Sequence, residues 1–335
     1  MKTISVGVDD GYFGTKLFDG RNKTIIKSRA RRGKSTTATL FQTGAVPPSE
    51  YKTEGNMYSV GDEIESSSIA FDDYPTSSIN RVIIQHGLQT AGLAGKKLNI
   101  CSGLPMKHFY SPNGKENTAL INAKIANCLK LVEPTKKESA IIENAHVLPE
   151  GFALMFDLMF TEDYSDSANN AEPKVISDES IWGKDQGFVD IGGNTVDIGV
   201  ISNGKVDVAN TSSLKFGVHK AYDLIKAEIC TRLGLDDINI NKIDKIVANP
   251  MCIEGYDFTK VISDSYRMVV EEIFAEVSKC IGKNGGLLDS LNFLGGGSEL
   301  FQDYFPKDIK RKKIITEPVF ANARGFYKYA KYIAK

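Results

Sequence analysis

Three short stretches of this sequence combine acidic side chains with tight glycine turns. Asp9-Asp10-Gly11-Tyr12-Phe13-Gly14-Thr15-Lys16 follows the apolar run Ile4 to Val8. Asp190-Ile191-Gly192-Gly193-Asn194-Thr195-Val196-Asp197 follows Gly187-Phe188-Val189 in the second half of the chain. Leu294-Gly295-Gly296-Gly297-Ser298-Glu299-Leu300 follows Leu291-Asn292-Phe293. A glycine turn turns several backbone N–H groups toward one concave side, and such a nest suits phosphate oxygens. An aspartate beside the nest repels phosphate unless a divalent cation lies between them. Mg2+ takes an octahedral oxygen shell and keeps several waters, so carboxylates facing one another across a cleft suit it. Lys16, alternating out of the first turn, would reach the phosphates as a point charge. A glycine run after a buried strand lets a flat ring or a ribose approach the backbone. One such hairpin alone is an ordinary β-turn. Two of the same composition, with the third stretch, point to a Mg–nucleotide site.

The elements that must carry these turns repeat as well. Each hairpin reads as a strand, an aspartate at its end, a turn, and a second strand, Lys16 to Phe18 in one case and Asp197 to Ile201 in the other. The chain therefore reads as two related halves that open with the same hairpin. The remainder alternates. Helices are expected over Ile79 to Leu93, Asn117 to Lys130, Gly151 to Met159, from Asp257 through Ile281, and from Thr316-Glu317-Pro318 toward Tyr332. Strands are expected at Lys97 to Cys101, Ala140 to Leu148 and Leu291 to Leu294. Strands alternating with helices imply parallel or mixed sheets covered by helices. Thr161 to Gln186 breaks the pattern, being rich in Asp, Glu, Ser and Asn, and reads as a surface loop at a domain junction, with the lone Trp182 anchoring it by local packing.

Composition narrows the function classes. With 335 residues, 41% hydrophobic and 25% charged, the chain suits two domains or one large one, and is neither wholly disordered nor collagen-like. Its formal charge of −1 argues against direct gripping of nucleic acid. The longest apolar stretch, Gly151 to Phe156, is too short to span a bilayer, and the N-terminus reads as a strand rather than a secretory signal. Cys101, Cys128, Cys230, Cys252 and Cys280 are scattered, as reduced thiols of a cytoplasmic protein would be. Gly33-Lys34-Ser35 has the end of a Walker motif but lacks its upstream glycine, because Ser28 stands there. Lys27 to Lys34 reads as a solvated loop or a partner surface. Lys307 to Lys313 reads as a solvated edge, with an acidic neighbour as the other reading. His86, His108 and His146 have no metal-ligand spacing and read as surface or satisfied core residues.

Taken together, the three glycine stretches resemble the phosphate-1, phosphate-2 and adenosine motifs of the actin, heat-shock-chaperone and sugar-kinase superfamily. Within it the chain is similar to the bacterial ParM/StbA plasmid-segregation actins. Gln85 to Leu93, Cys101-Ser102-Gly103-Leu104-Pro105 with Phe109-Tyr110, and Val147-Leu148-Pro149-Glu150 carry that resemblance, and Ala321 to Phe326 is similar to the second connecting helix. The resemblance covers essentially the whole chain. It implies an α/β, two-domain actin-like (ribonuclease H-like) ATPase fold with nucleotide in the interdomain cleft. The expected domains are 1–186 plus 315–335, and 187–314.

The resemblance also implies roles. Asp9 and Asp190 would hold Mg2+ through its waters and count, with Glu150, as catalytic residues. Glu150 matches the residue that positions the attacking water; by itself it also reads as a helix N-terminal acid. Asp10, Gly11, Tyr12, Phe13, Gly14, Thr15 and Lys16, and Gly192, Gly193, Asn194 and Thr195, would bind the phosphates. Gly217 and Lys220 would lie on the ribose side, and Gly295, Gly296, Gly297, Ser298 and Glu299 would approach the nucleoside. Phe13 departs from the small residue many relatives carry. Asp197 is left between a structural role and ordering the water.

The implied function is a filament-forming ATPase that polymerises with Mg–ATP, or GTP, and disassembles after hydrolysis to the diphosphate. The implied partners are further copies of itself and a DNA-binding adaptor at a centromere-like plasmid site, with neither direct nucleic-acid contact nor a membrane. The alternatives are a small-molecule kinase acting on a sugar or carboxylate, for which no acceptor motif stands out, and a cell-shape actin, for which no amphipathic anchor stands out.

Overall fold

In this computed structural model, residues 3–34, 48–62, 64, 73–164, 172–282 and 286–334 are described. The first glycine turn joins β1 (Ile4–Asp10) to β2 (Gly14–Phe18) in an antiparallel hairpin that sets Asp9 opposite Lys16 and Asp10 opposite Thr15. β3 (Lys23–Lys27) extends the hairpin. A small four-stranded sheet follows, ordered β4-β6-β5-β8 from β4 (Ala30–Arg32), β5 (Ser49–Thr53), β6 (Asn56–Val60) and β8 (Glu133–Pro134). The expected loop over Lys27 to Lys34 is thus in part a strand. Its pairing partner lies too far along the chain to be read from local pattern.

β7 (Lys97–Leu104) and β9 (Ile141–Pro149) complete the main sheet in the order β3-β2-β1-β7-β9, with β1, β7 and β9 parallel. Parallel neighbours require crossovers, here built on α1 (Ser78–Thr90), the short α2 (Met106–Phe109) and α3 (Thr118–Leu129). Ser77 starts α1 by accepting the Asn80 N–H at 3.1 Å. α1 and α3 pack Ile84, Leu88 and Cys128 onto Val6, Val8, Leu98 and Ile100. The opposite face takes α4 (Ala153–Met159) and α9 (Ala321–Tyr332), through Cys101, Ala153, Phe326 and Ala330. Gly7 allows α9 to lie directly on β1, since a Cβ there would fall 1.8 Å from the Ala323 carbonyl oxygen.

The second sheet repeats the plan. β12 (Gln186–Ile191) and β13 (Val196–Ser202) form the second hairpin, and the order β14-β13-β12-β16-β17 is completed by β14 (Lys205–Val206), β16 (Ser290–Leu294) and β17 (Lys312–Ile314), with β15 (Ser212–Leu214) also on β13. All six residues of β12 are buried, as suits a central strand. α5 (Val218–Leu233), ended by Gly234 at φ 63°, α6 (Ile240–Ala248) and the 23-residue α7 (Thr259–Ile281) cover one face. The α7 residues Val261, Ile262, Tyr266, Val269, Ile273 and Val277 form its buried stripe. A further cluster, with Met106, Leu154, Phe188, Ile201, Leu294 and Ile315, packs α2 and α4 onto β12, β13 and β16.

One further expectation changes. The segment read as a loop from Thr161 to Gln186 contains an antiparallel pair, β10 (Phe160–Asp163) and β11 (Lys174–Ser177), while residues 165–171 lie outside the described residues. Every residue of β11 is exposed, so no inside–outside alternation marked it as a strand. Trp182 packs on Phe152 and Phe156, as expected of an anchor. The glycine run after β16 leads straight into a helix: Gly295 alone of the three has positive φ, 81°, and Gly296 begins α8 (Gly296–Phe301).

Candidate active site

The carboxyl-terminal ends of β1, β12 and β16 open onto one cavity of about 320 Å³. Asp9 to Gly14, Lys16, Glu150, Asp190, Gly192 to Thr195, Asp197 and Gly295 to Gly297 all line it. Five residues expected there do not. Thr15 is buried with its hydroxyl 3.0 Å from that of Ser28. Gly217 packs behind the second hairpin, where a Cβ would fall 2.3 Å from the Gly192 carbonyl oxygen. Lys220 turns away to pair with Glu272 and to sit over the Phe216 ring. Ser298 is buried against the Leu294 carbonyl, and Glu299 borders a separate depression beside Gln302 and Glu317. Their types fit a nucleotide loop, but side-chain direction depends on how α5 and α8 pack.

In the first hairpin, Lys16 Nζ lies 3.3 Å from Asp9 Oδ2. Burial nonetheless holds the Asp9 carboxyl above its usual range, against the pull of Lys16. Asp10, also on the cavity, is held by Lys124 rather than by Lys16. Lys124 Nζ donates to its two oxygens at 3.0 and 2.8 Å and to the Gly103 carbonyl, and Ser102 and Asn80 donate to it as well. Burial alone would raise Asp10; Lys124 outweighs that and brings it below its usual value. The pair pins the hairpin to α3 from behind.

In the second hairpin the ladder sets Asp190 directly opposite Asp197. Burial, then the charge of Asp9, pushes Asp190 up to about 7. Burial pushes Asp197 up to about 6, although Ser213 donates to it. Glu150 follows β9, its N–H on the Leu104 carbonyl at 2.8 Å. Burial, then Asp197, Asp9 and Asp190, carries it well above the usual carboxyl range. Asn322 on α9 ties these parts together, donating to Asp190 at 2.6 Å and accepting the Gly151 N–H at 3.2 Å.

The buried carboxyl groups of Asp9, Asp10, Asp190 and Asp197 and the half-buried Glu150 therefore share a cavity with Lys16 and Lys124. Such a set fits a divalent cation, which would compensate charge that burial now suppresses. Among the described residues no three ligating side chains converge as a direct metal cage. Mg2+ needs none, because it is commonly held by one or two carboxylates and keeps water in its shell. Gly295 brings the third glycine stretch directly against the second hairpin, since a Cβ there would meet Asp190 Oδ1 and the Ile191 carbonyl oxygen at 2.4 Å.

Comparison with known proteins gives this arrangement a family. Residues 4–159 match the N-terminal part of the plasmid segregation protein ParM, and residues 188–307 match the C-terminal part of the archaeal actin homologue MreB-like family. The chain is a ParM-like actin homologue. No curated protein matches the sequence significantly. The 15-stranded ParM filament from Clostridium botulinum superposes on this actin homologue with a TM-score of 0.72 at 18% identity, over 99% of either chain. A non-polymerisable ParM mutant from pCBH gives 0.71 at 18% identity, over 98% of this chain and 99% of that one. An archaeal actin homologue in complex with ADP gives 0.71 at 19% identity, with the same coverage. The mixed α/β fold is thus actin-like.

Sequence reasoning missed several residues that line the cavity of the actin homologue, among them Lys124, Tyr74, Tyr222, Leu300, Val319 and Asn322. For Lys124 one signal existed: it stands one helical turn before Cys128, on the apolar face of its helix. Asn322 belongs to a stretch singled out for resemblance, but its contact with Asp190 depends on α9 crossing between the sheets. The tyrosines carry no local signal at all. Elsewhere, His86 Nδ1 lies 2.8 Å from the Tyr51 hydroxyl and His146 Nε2 lies 3.0 Å from Asn99 Oδ1, which gives both half-buried rings a partner.

Proposed function

We propose that this actin homologue is a nucleotide-dependent filament-forming ATPase whose site is the cavity between the two sheets. The observation that carries the reading is the meeting of two glycine hairpins, one from each sheet, around Asp9, Glu150 and Asp190. In this reading residues 1–186 with 315–335 form one domain and 187–314 the other, in keeping with the two sheets.

The backbone N–H groups of Gly11 to Gly14 and of Gly192 to Thr195 would hold the phosphates, with Lys16 as point charge. Bound Mg2+ would neutralise phosphate charge as it builds during transfer. Glu150 orients water for in-line attack on the terminal phosphorus and, once the cation's charge favours its ionised form, accepts the water's proton. The water oxygen bonds to phosphorus, the bond to the diphosphate breaks, and inorganic phosphate and ADP result. Losing the phosphate that bridges both hairpins lets the domains relax, which weakens contacts between subunits. The ADP complex of the archaeal homologue supports adenine nucleotide as the ligand.

The matched N-terminal family is that of a plasmid segregation protein, which supports the same role for this chain in the cytoplasm, with a DNA-binding adaptor joining filament to plasmid. Among the described residues, no helix is long and apolar enough to cross a membrane. The test is sedimentation with Mg2+ and ATP, GTP, a non-hydrolysable analogue or no nucleotide, read with released phosphate. Pelleting that persists with the analogue and decays as phosphate appears supports the reading. Turnover only on addition of a sugar or carboxylate, without pelleting, overturns it in favour of a kinase.

A further inference from the structure

The long helix α7 separates two surfaces of unlike charge. Its amino-terminal end meets the carboxyl-terminal end of α5, because the helices run antiparallel: Lys220 pairs with Glu272, and Tyr222 further along α5 lies near Tyr266 further back along α7. At this end Leu235, Met251 and Tyr256 are 45%, 61% and 41% exposed, beside the exposed Asp236, Glu254 and Asp257. No Lys or Arg among the described residues pairs with those three acids. The other end of α7 reaches Ile281 beside Gly187, where β16 and β17 begin. Here Lys307, Lys310, Lys312 and Lys313 are all exposed without an acidic partner among the described residues, and Leu287 is 96% exposed. A helix of 23 residues places the two ends about 33 Å apart at 1.5 Å per residue.

Lysines on an edge strand also serve to block stray pairing, which accounts for Lys312 and Lys313 on β17. Lys307 and Lys310 lie before the strand and need another reason. An apolar anchor rimmed by one charge at one end, with the opposite charge at the other, is what a head-to-tail contact between copies requires. The two surfaces lie at opposite ends of α7, so a contact between them is heterologous, and it extends as an open chain where the rotation between copies does not close a ring.

We infer that the basic surface around Lys307 and Lys310 docks on the Leu235–Met251–Tyr256 surface, with its acids Asp236 and Glu254, of the next copy of this chain. The inference rests on the filament reading and names its subunit contact.

A paired charge reversal tests it on the full-length protein. One variant carries Lys307→Glu and Lys310→Glu, the other Asp236→Lys and Glu254→Lys. Each alone would present like charges at every junction, so the concentration needed for pelleting with Mg–ATP should rise by about tenfold or more. An equimolar mixture has complementary charges at every junction if the variants alternate, so pelleting should return toward the wild-type level. Both variants, kept dilute and unassembled, should bind nucleotide as the wild type does. Wild-type protein that pellets, with variants that pellet equally well, overturns the contact alone. Losses that mixing does not repair overturn it too. Wild-type protein that never pellets overturns the filament reading and this contact with it.

Discussion

Phe13 of the first hairpin rests on Gly193 of the second. A Cβ at position 193 would lie 2.6 Å from the Phe13 Cβ, and the Phe13 ring stands edge-on to Tyr222 with centroids 6.3 Å apart. The two hairpins belong to different sheets, so this contact closes the cavity from the side. Phe13 replaces the small residue expected from the resemblance, and the glycine opposite makes room for it. Phe13→Ala should speed nucleotide release by about 3- to 10-fold, since an aromatic contact contributes about 0.5–1.5 kcal/mol. Gly193→Ala should weaken nucleotide binding by forcing the hairpins apart. Stopped-flow release of a fluorescent nucleotide checks both.

A polar clasp spans the same gap. Arg29 donates to Asn241 on α6 at 2.8 Å, and Lys27 lies 3.9 Å from Asp244. Both partners are at least partly open to water, so each contact is weak by itself. Lys27→Ala should accelerate nucleotide exchange by no more than about threefold, and added salt should shrink the difference. An effect that grows with salt would contradict an electrostatic clasp.

Glu150→Gln keeps size and hydrogen bonding but removes the proton acceptor. Phosphate release should fall by about 100-fold or more, while nucleotide binding and nucleotide-driven pelleting persist. Equal losses in binding and turnover would instead assign Glu150 to holding the loop.

The ligand-free protein should lose stability as pH rises. Asp190, at about 7, and Asp197, at about 6, hold protons in the folded state that the unfolded chain has already released above about pH 4. Where the folded state binds more protons, unfolding free energy falls with rising pH, and the share of the fall due to Asp190 and Asp197 is complete once pH passes about 7. Asp190→Asn keeps the bond from Asn322 and removes the titrating group. The variant should therefore melt above the wild type at pH 8, by about 2–4 °C per kcal/mol, and the gap should narrow at pH 5. Parallel melting curves at the two pH values would count against a raised Asp190.

Removing Lys124 should be among the most damaging single changes. Lys124→Met leaves the buried Asp10 carboxylate without its cation, at a cost of about 3–5 kcal/mol. Asp10→Asn in the same chain removes the stranded charge and should recover part of that loss, which denaturant titration of the double variant would measure.

The sequence by itself determined the local chemistry. The aspartates, glycine turns and Lys16 are contiguous, and the α7 stripe and the strands before each turn follow short periods, so each could be read within a few residues. The family resemblance followed from the order of those motifs. Only the tertiary structure decided which expected residues reach the cavity. Gly217, Lys220, Ser298 and Glu299 have suitable types and neighbours, yet the packing of α5 and α8 turns them elsewhere. Lys124 and Asn322 enter from helices distant in the chain, and no pattern within α3 or α9 names Asp10 or Asp190 as their partners. The same holds for the raised carboxyl groups. Aspartate and glutamate are ordinary acids in a sequence, and they become a cation-seeking set when folding removes water and brings Asp9, Glu150, Asp190 and Asp197 around one space.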